Sequence, residues 1–175
     1  CVIMVDATRG FEGQDNAIFS LAARNKKGIV IAVNKWDLVE KSHNTNKDFQ
    51  KMIENKIAPL RDIPIIFTSV VEKQRIIKLL EASLKVYENR KRKLSASQLN
   101  KVILPLIKDN PPPMYKGKTI RAKYISQLPT PFPSFAVFCN LPQYVKEPYK
   151  RFVENKIREN FDFQGSPIEI YFRKK

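Results

Sequence analysis

Three polar residues, Asn34, Lys35 and Asp37, follow directly after an apolar run over residues 28–33. That run is a glycine and five apolar residues, which is typical of a strand buried on both faces within a parallel sheet. Ligands of such sheets bind just beyond the carboxyl ends of the strands. The spacing therefore predicts a binding site built from these three side chains.

The chemistry of the three side chains favours guanine. Guanine presents its N1 proton and its exocyclic amine side by side, and the carboxylate of Asp37 offers two oxygens that can accept both. Lys35 can lay its aliphatic stem along the base. The amide of Asn34 can hold a purine nitrogen and brace the neighbouring loops. Adenine lacks the matching pair of donors, so the site is predicted to select guanine.

A family resemblance widens this reading. The segment Val33–Val39 resembles the guanine-specificity motif of translation-type GTPases. Together with residues 5–15, 78–88 and 166–174, it resembles the Der (EngA) family of bacterial tandem-GTPase ribosome-assembly factors, over essentially the whole chain. Members of that family have two GTPase domains followed by a KH-like domain. The resemblance implies that this chain runs from the middle of the second GTPase domain to the C terminus.

The resemblance also implies a fold, a function and a set of partners. The expected fold is α/β over residues 1–93, a partial P-loop-type GTPase domain with helices on a parallel sheet, followed by a small α+β KH-like domain over residues 94–175. The implied function is GTP binding and hydrolysis in assembly of the large ribosomal subunit. GTP or GDP is the expected ligand, with Mg²⁺ in the intact protein. The implied partners are the large subunit, its ribosomal RNA and the protein's own upstream GTPase domains.

A second base-contacting loop is implied at Ser69 and Val70. The family usually has Ser-Ala there, with a backbone amide aimed at the guanine carbonyl. Ser69 matches, whereas Val70 keeps the backbone donor but adds a β-branched side chain that can shift the loop or crowd the base. Gln74 and Arg75 stand where the family often has Gln-Gly, which is a second departure.

The phosphate-binding half of a GTPase has no counterpart in this sequence. The five glycines stand at positions 10, 13, 28, 117 and 165, and none begins a GxxxxGK[ST] loop. A DxxG sequence does occur over residues 162–165, but its place between the last predicted helix and strand predicts a turn instead of a GTPase switch. Without phosphate, magnesium and water sites, this chain alone is predicted not to hydrolyse GTP.

The net charge points to a polyanionic partner. The chain carries 32 basic and 17 acidic residues, a formal charge of +15. Residues 1–93 hold 18 basic and 11 acidic residues, and residues 94–175 hold 14 and 6, so the excess persists in both parts. RNA is the expected partner, although a basic composition is also compatible with solubility alone.

Other function classes remain open beside this one. The chain could be an RNA-binding module from another protein that joins a GTPase to a KH domain, as Era does, or a platform for docking protein. RNA clamping by a KH domain needs a GxxG loop between two helices, and only Gly117 and Gly165 occur after residue 94. The residues over 10–13 do spell GxxG, but their α/β context predicts an ordinary turn. An adenine-nucleotide or metabolic α/β enzyme is a third possibility.

Composition excludes several further classes. Two cysteines far apart in sequence predict neither a disulfide framework nor a zinc site, and a reducing cytoplasmic location is expected. The sequence has no signal-peptide pattern and no apolar run of about 18 residues. The chain begins in a strand-like segment without methionine, as though cut from something longer. Trp36 is predicted to pack in the core, and His43, the single histidine, to be solvated.

The apolar periodicity predicts two successive units. The first unit has strands over 1–5, 29–33 and 63–68, and a helix follows each strand. The apolar residues are Ala17, Ile18, Leu21 and Ala22 in the first helix, Phe49, Met52, Ile53 and Ile57 in the second, and Ile76, Ile77, Leu80, Leu84 and Tyr87 in the third. The second unit has a helix from a Ser95–Gln98 capping box, strands over 119–125 and 135–139, a helix over 149–161 and a strand over 168–172.

RNA is predicted to be held mainly through its phosphates, because the clamping loop is missing. The candidate contacts are cations of the second unit: Arg121 and Lys123 on a strand, Lys150, Arg151 and Arg158 on a helix, and Arg173, Lys174 and Lys175 at the end of the chain. Arg121 and Lys123 could equally line a protein-docking face.

Overall fold

The computed structural model describes residues 1–40, 45–60 and 62–174. The chain divides into two compact units, one formed by Cys1–Arg90 with Gln164–Pro167 and the other by Lys91–Phe163 with the residues from Ile168 onward. The predictions made for His43 and Lys175 fall outside the described residues.

The first unit is a parallel sheet with helices between its strands. Three strands pair in the order β1, β2, β3, and both pairs are parallel. In chain order the elements are β1 (Val2–Asp6), α1 (Gly13–Arg24), β2 (Val30–Asn34), α2 (Thr45–Lys56), β3 (Ile65–Phe67) and α3 (Ile76–Lys91). The predicted α/β class with a parallel sheet is confirmed, although β3 is shorter than the predicted strand over 63–68.

Strand β2 is buried on both faces. Ile31 and Val33 contact the core beneath α1 and α2, whereas Val30 and Ala32 pack against α3 through Leu79 and Val86. A strand that is sandwiched in this way needs apolar residues at every position, which explains its unbroken apolar run. Its carboxyl end, where the polar residues begin, is therefore held firmly in place.

Helix α1 buries a different face from the predicted one. Phe19 is 4% exposed and Ala22 and Ala23 pack against the same core, whereas Ile18 and Leu21 are 49% and 56% exposed. The i, i+3, i+4 spacing of Phe19, Ala22 and Ala23 places the large ring toward the sheet with two small residues beside it. The helix also ends at Arg24, before the end of the span 14–26 that its sequence predicts, because Asn25 caps it and Lys26 turns left-handed with φ 53°.

Helix α3 shows a similar difference. Its buried apolar residues are Leu79 and Val86, seven positions apart, with Ala82 partly buried between them. The predicted stripe is instead largely exposed, and Ile77 and Leu84 are 68% and 64% accessible. Leu79 and Val86 pack against the narrow face formed by Val30 and Ala32. The predicted packing face of α3 was therefore wrong.

The second unit places two helices on one face of a three-stranded sheet, as predicted. Strands β4 and β5 are antiparallel, and β5 and β6 are parallel. The helices cover a core of Leu99, Ile103, Ile107, Ile125, Phe135, Val137, Val153, Ile157 and Ile170. The elements are α4 (Ala96–Asp109), β4 (Ala122–Gln127), β5 (Ser134–Cys139), α5 (Glu147–Asn160) and β6 (Glu169–Lys174).

The predicted capping box opens α4. The Gln98 amide donates to Ser95 Oγ at 3.1 Å, and the Ser95 amide donates to Gln98 Oε1 at 3.1 Å. The helix runs through Pro105 without interruption and is capped by Asn110, just before the three prolines. Two reciprocal hydrogen bonds satisfy donors that the first helical turn cannot pair internally.

The alternation of residues over 119–125 predicts that Ala122 and Tyr124 share one face of β4. That prediction is wrong, because the pairing with β5 is irregular between these two residues. Ala122 and Ile125 contact the helix-covered core, whereas Tyr124 stacks on Phe138. An extra residue in one strand resets which side chains point inward.

A turn at Gly165 stands where the sequence spells DxxG. Gly165 has φ +73°, its amide donates to the Asp62 carbonyl at 2.7 Å, and its carbonyl accepts from the Ile29 amide at 2.8 Å. A Cβ added at this glycine would contact the side chain of Val86 and stand 2.9 Å from the Ile29 carbonyl oxygen. Position 165 therefore requires glycine for its backbone angle and for the space around it.

Replacement of Gly165 by alanine should destabilise the first unit by about 2 to 4 kcal/mol, because a left-handed alanine is strained and its methyl group overpacks Val86. Denaturant unfolding followed by fluorescence of Trp36, the single tryptophan, measures this unit. Gly10→Ala is the matched control, since Gly10 has φ +79° but its nearest contact, Met52 Cε, is 4.0 Å away. That control should lose only about 1 kcal/mol. Equal losses in the two variants would contradict the close-packing argument.

Candidate guanine-nucleotide site

The predicted site residues lie on two loops that follow adjacent strands. Asn34 ends β2, with Lys35 and Asp37 just beyond it, and Ser69 and Val70 follow β3. Asn34 Oδ1 accepts a hydrogen bond from the Val70 amide at 3.2 Å. The two loops are thus joined by the side chain that the sequence analysis expects to brace them.

Trp36 anchors the polar tetrapeptide from below. Its ring is 2% exposed, lies edge-on to Phe49 at 5.5 Å and contacts Phe67 at 4.3 Å between ring centroids. Its amide donates to the Thr68 carbonyl at 3.1 Å. The predicted packing role of Trp36 is confirmed. Because Trp36 points into the core, Lys35 and Asp37 on either side of it are left at the surface.

Lys35 adopts a strained backbone conformation and a fixed side-chain position. Its φ is 61°, in the left-handed region, where it starts the short 3₁₀ helix Trp36–Leu38. Its Nζ lies 2.7 Å from Asp6 Oδ2, with the lysine side chain 52% exposed and that of Asp6 28% exposed. A lysine held in this way presents its aliphatic stem in one orientation.

Asp6 was missed by the sequence analysis. Its carboxylate also accepts from the Thr8 amide at 2.9 Å and the Thr8 hydroxyl at 2.7 Å. The hydrogen bond from Lys35, followed by those from Thr8, lowers the pKa of Asp6 from 3.8 to about 2. Asp6 ends β1 and pairs in register with Asn34. The rule that sites form beyond adjacent strand ends would have identified it.

The loop after β3 is closed by its own hydrogen bonds. Ser69 is fully buried, pairs with Gln74 through both backbone groups and accepts from the Glu72 amide at 3.1 Å through its hydroxyl. The side chain of Val70 is 55% exposed, so its branched methyl groups do not disturb the packing of the fold. Its amide is engaged by Asn34, and a contact with the guanine carbonyl stays a prediction.

Arg75 explains one departure from the family pattern. Its φ is 56°, a conformation that glycine adopts without strain, and glycine is what the family often has there. The guanidinium donates through Nη1 to the Phe67 carbonyl at 3.3 Å. That hydrogen bond offsets part of the cost of a left-handed arginine.

The carboxylate of Asp37 is available to a ligand. Within residues 1–40, 45–60 and 62–174, no hydrogen bond or ion pair engages it, and the residue is half-buried beside the Trp36 anchor. Two free carboxylate oxygens can accept a pair of adjacent N–H donors. The geometry therefore suits a planar base that carries two donors on one edge.

In the part of the chain that the structure describes, no group of three or more His, Cys, Asp or Glu side chains could hold a metal ion. No described helix is both long and apolar enough to cross a membrane.

Comparison with known families assigns the two parts of the chain. Residues 1–89 match the elongation factor Tu GTP-binding domain, and residues 93–173 match the KH-domain-like C-terminal region of EngA bacterial GTPase enzymes. The chain belongs to the EngA (Der) family. GTPase Der of Christiangramia forsetii is 59% identical over 175 residues, that of Flavobacterium psychrophilum 55%, and that of Bacteroides fragilis 56% over 177 residues.

The match covers the whole of this chain, which spans 40% of the length of each of these EngA-family relatives. The recognition made from residues 33–39 and the flanking segments is confirmed. So is the order of a GTPase-type α/β unit followed by a KH-like α+β unit.

The Lys35–Asp6 pair can be tested by titration of the carboxyl group. Because the pKa of folded Asp6 lies below 3.8, the pair is complete above about pH 4, and its contribution to stability is lost as the pH falls toward 2. Lys35→Met should raise the Asp6 pKa toward 3.8, as measured by carboxyl ¹³C NMR from about pH 1 to 6. Lys51→Met, on the exposed side of α2, should leave it unchanged. Titration of Asp6 near 3.8 in the unaltered protein would contradict the assignment.

Proposed function

We propose that this chain supplies the guanine-reading half of a GTP-binding and GTP-hydrolysing protein that assists assembly of the large ribosomal subunit. The observation that carries the proposal is the position of Asn34, Lys35 and Asp37 beyond the buried central strand, with Asp37 open to a ligand. Membership of the EngA family and the relatives named GTPase Der support it. A cytoplasmic location follows from the same proposal.

Each residue has a defined task in base recognition. Asp37 accepts hydrogen bonds from the N1–H and the exocyclic amine of guanine, Lys35 covers the base with its stem, and Asn34 holds the second loop in register. Asp6 is a positioning residue, because it fixes Lys35 and does not itself reach the base. The bound nucleotide is GTP or GDP.

Phosphate chemistry is assigned to residues outside this chain. The sequence has no GxxxxGK[ST] loop, so nothing in it matches the usual cradle for the phosphates. Mg²⁺, when bound in the intact protein, would neutralise charge on those phosphates. We therefore expect the chain alone to be inactive in GTP hydrolysis, with no catalytic residue among its 175.

RNA binding by the second unit is the companion proposal, favoured over a purely protein-docking role by its charge. Arg121, Lys123, Arg173 and Lys174 are exposed and can reach phosphates. Two other candidates are less suitable. The side chain of Arg158 is 12% exposed and is paired with Glu154 at 3.0 Å, and Lys150 is paired with Glu147. The absence of GxxG in this unit argues against nucleotide clamping of the Era type.

Asp37→Asn in the intact protein should exchange guanine preference for xanthine preference, because the amide offers a donor to the xanthine carbonyl. GTP affinity should fall roughly 10- to 100-fold, from the loss of charge-assisted hydrogen bonds. Titration with GTP and with xanthosine triphosphate measures both effects. Asp48→Asn, an exposed carboxylate on α2, is the matched control. Unchanged GTP affinity in Asp37→Asn would remove this residue from the site.

Arg121→Gln with Lys123→Gln should reduce the salt dependence of ribosomal-subunit binding, because each lost phosphate contact lowers the slope of log K against log salt by about 1. The measurement is binding of the intact protein to large subunits across a salt series. Lys51→Gln tests whether any exposed lysine has the same effect. Lost affinity with an unchanged slope, or binding confined to one short RNA sequence, would contradict a phosphate-based mode.

A further inference from the structure

The face of the second sheet that the helices leave uncovered carries aromatic rings beside a cation. Successive side chains of a strand point to opposite faces of the sheet. The residues that flank the buried Ile125, Val137 and Ile170 in sequence therefore point away from the helices. The strand register places them in two rows across the sheet: Tyr124, Phe138 and Arg173 in one, and Ser126, Ala136 and Tyr171 in the next.

Two of the rings are in direct contact, and the third lies in the neighbouring row. Tyr124 and Phe138 are stacked, with centroids 4.3 Å apart and planes within 15°. Tyr171 lies on the edge strand with 39% of its surface exposed, beside Ala136, which is fully buried. The guanidinium of Arg173 is 5.7 Å from the centre of the Tyr171 ring.

The charges around these rings suit a polyanion. Arg121, Lys123 and Lys174 are exposed at the same end of the sheet as Arg173, since Ala122, Cys139 and Lys174 are joined by the register. One carboxylate, that of Glu169, is engaged by the hydroxyl of Tyr171 at the other end. The second unit as a whole carries 14 basic and 6 acidic residues over 94–175.

We propose that Tyr124, Phe138, Tyr171 and Arg173 form a stacking surface for the bases of a single-stranded RNA segment. Flat rings and a guanidinium on an open sheet bind unpaired bases, whereas the bases of a duplex are already stacked on each other. Cations at the end of the sheet hold the adjacent phosphates. Stacking tolerates any base, so this mode agrees with weak sequence dependence. The proposal rests on RNA binding by this unit and names the structural class of RNA that it takes.

A protein partner is the alternative that the chemistry disfavours. Aromatic residues and arginine are common in protein interfaces, but lysine is depleted there, and here the exposed Lys123 and Lys174 lie at the end of the sheet that carries Arg173. The arrangement of rings, a guanidinium and neighbouring lysines matches what single strands require.

The test uses the intact protein and one unstructured 12-nucleotide RNA, free and annealed to its complement. Tyr171→Leu should weaken binding of the single strand about 5- to 100-fold, the equivalent of one lost stacking contact. The salt slope should stay the same, because no phosphate contact is removed. Binding of the duplex should change little. Tyr87→Leu, an exposed tyrosine of α3, is the matched control and should have no effect.

Phe138→Leu and Tyr124→Leu provide independent variants if Tyr171→Leu perturbs folding, which circular dichroism detects. Unchanged single-strand affinity in all three variants would overturn the proposal. So would an equal loss of affinity for the single strand and for the duplex. If the unaltered protein binds no RNA at all, the proposed RNA-binding function fails. If the Arg121→Gln, Lys123→Gln variant loses binding but the ring variants do not, the stacking surface alone fails.

Discussion

The parallel pairing of β2 with β1 and β3 is the constraint on which the nucleotide site depends. It sets Asn34 beside Asp6 and Val33 beside Phe67, so both loops leave the sheet at the same edge. The pairing continues past the strands through the Ala7 amide to the Asn34 carbonyl at 2.9 Å and the Trp36 amide to the Thr68 carbonyl. A one-residue slip would turn the buried side chains of β2 to the opposite face. Backbone hydrogen bonds thus fix the relative position of the two loops.

Backbone strain around the site has a local structural origin. Lys35, Lys73 and Arg75 all have φ between 56° and 61°, which costs roughly 1 to 2 kcal/mol for a residue other than glycine. Two of the three are held by side-chain contacts, Lys35 by Asp6 and Arg75 by the Phe67 carbonyl. Such strain persists only where the surroundings determine the conformation. The side-chain contacts of Lys35 and Arg75 thus hold these two strained residues in place at the end of the sheet.

The sequence predicted the elements, and the meeting of the candidate residues at one edge of the sheet, better than it predicted the packing. The run over 28–33 and the capping box at Ser95 each had one physical interpretation, and both are observed. Helix α3 has two apolar stripes, and periodicity alone cannot choose between them, because the choice depends on the width of the facing strand surface. The register shift in β4 left no mark in the residue types. Asp6 was overlooked because its partner Lys35 is distant in sequence.

The uncovered face of the second sheet is unusual for its position. A sheet with helices on one side normally has polar residues on the other, yet β5 is apolar at five of its six positions, Phe135 to Cys139. Two of these, Ala136 and Phe138, point away from the helices, and Ala136 is still fully buried. The aromatic residues of β4 and β6 supply the cover, because Tyr124 stacks on Phe138 and Tyr171 lies beside Ala136 in the register. Ala136 and Phe138 contribute nothing to the helix-covered core, so their apolar character has to be explained by what this outer face contacts. Stacked rings with a guanidinium in the same row make unpaired bases the ligand that matches this surface best.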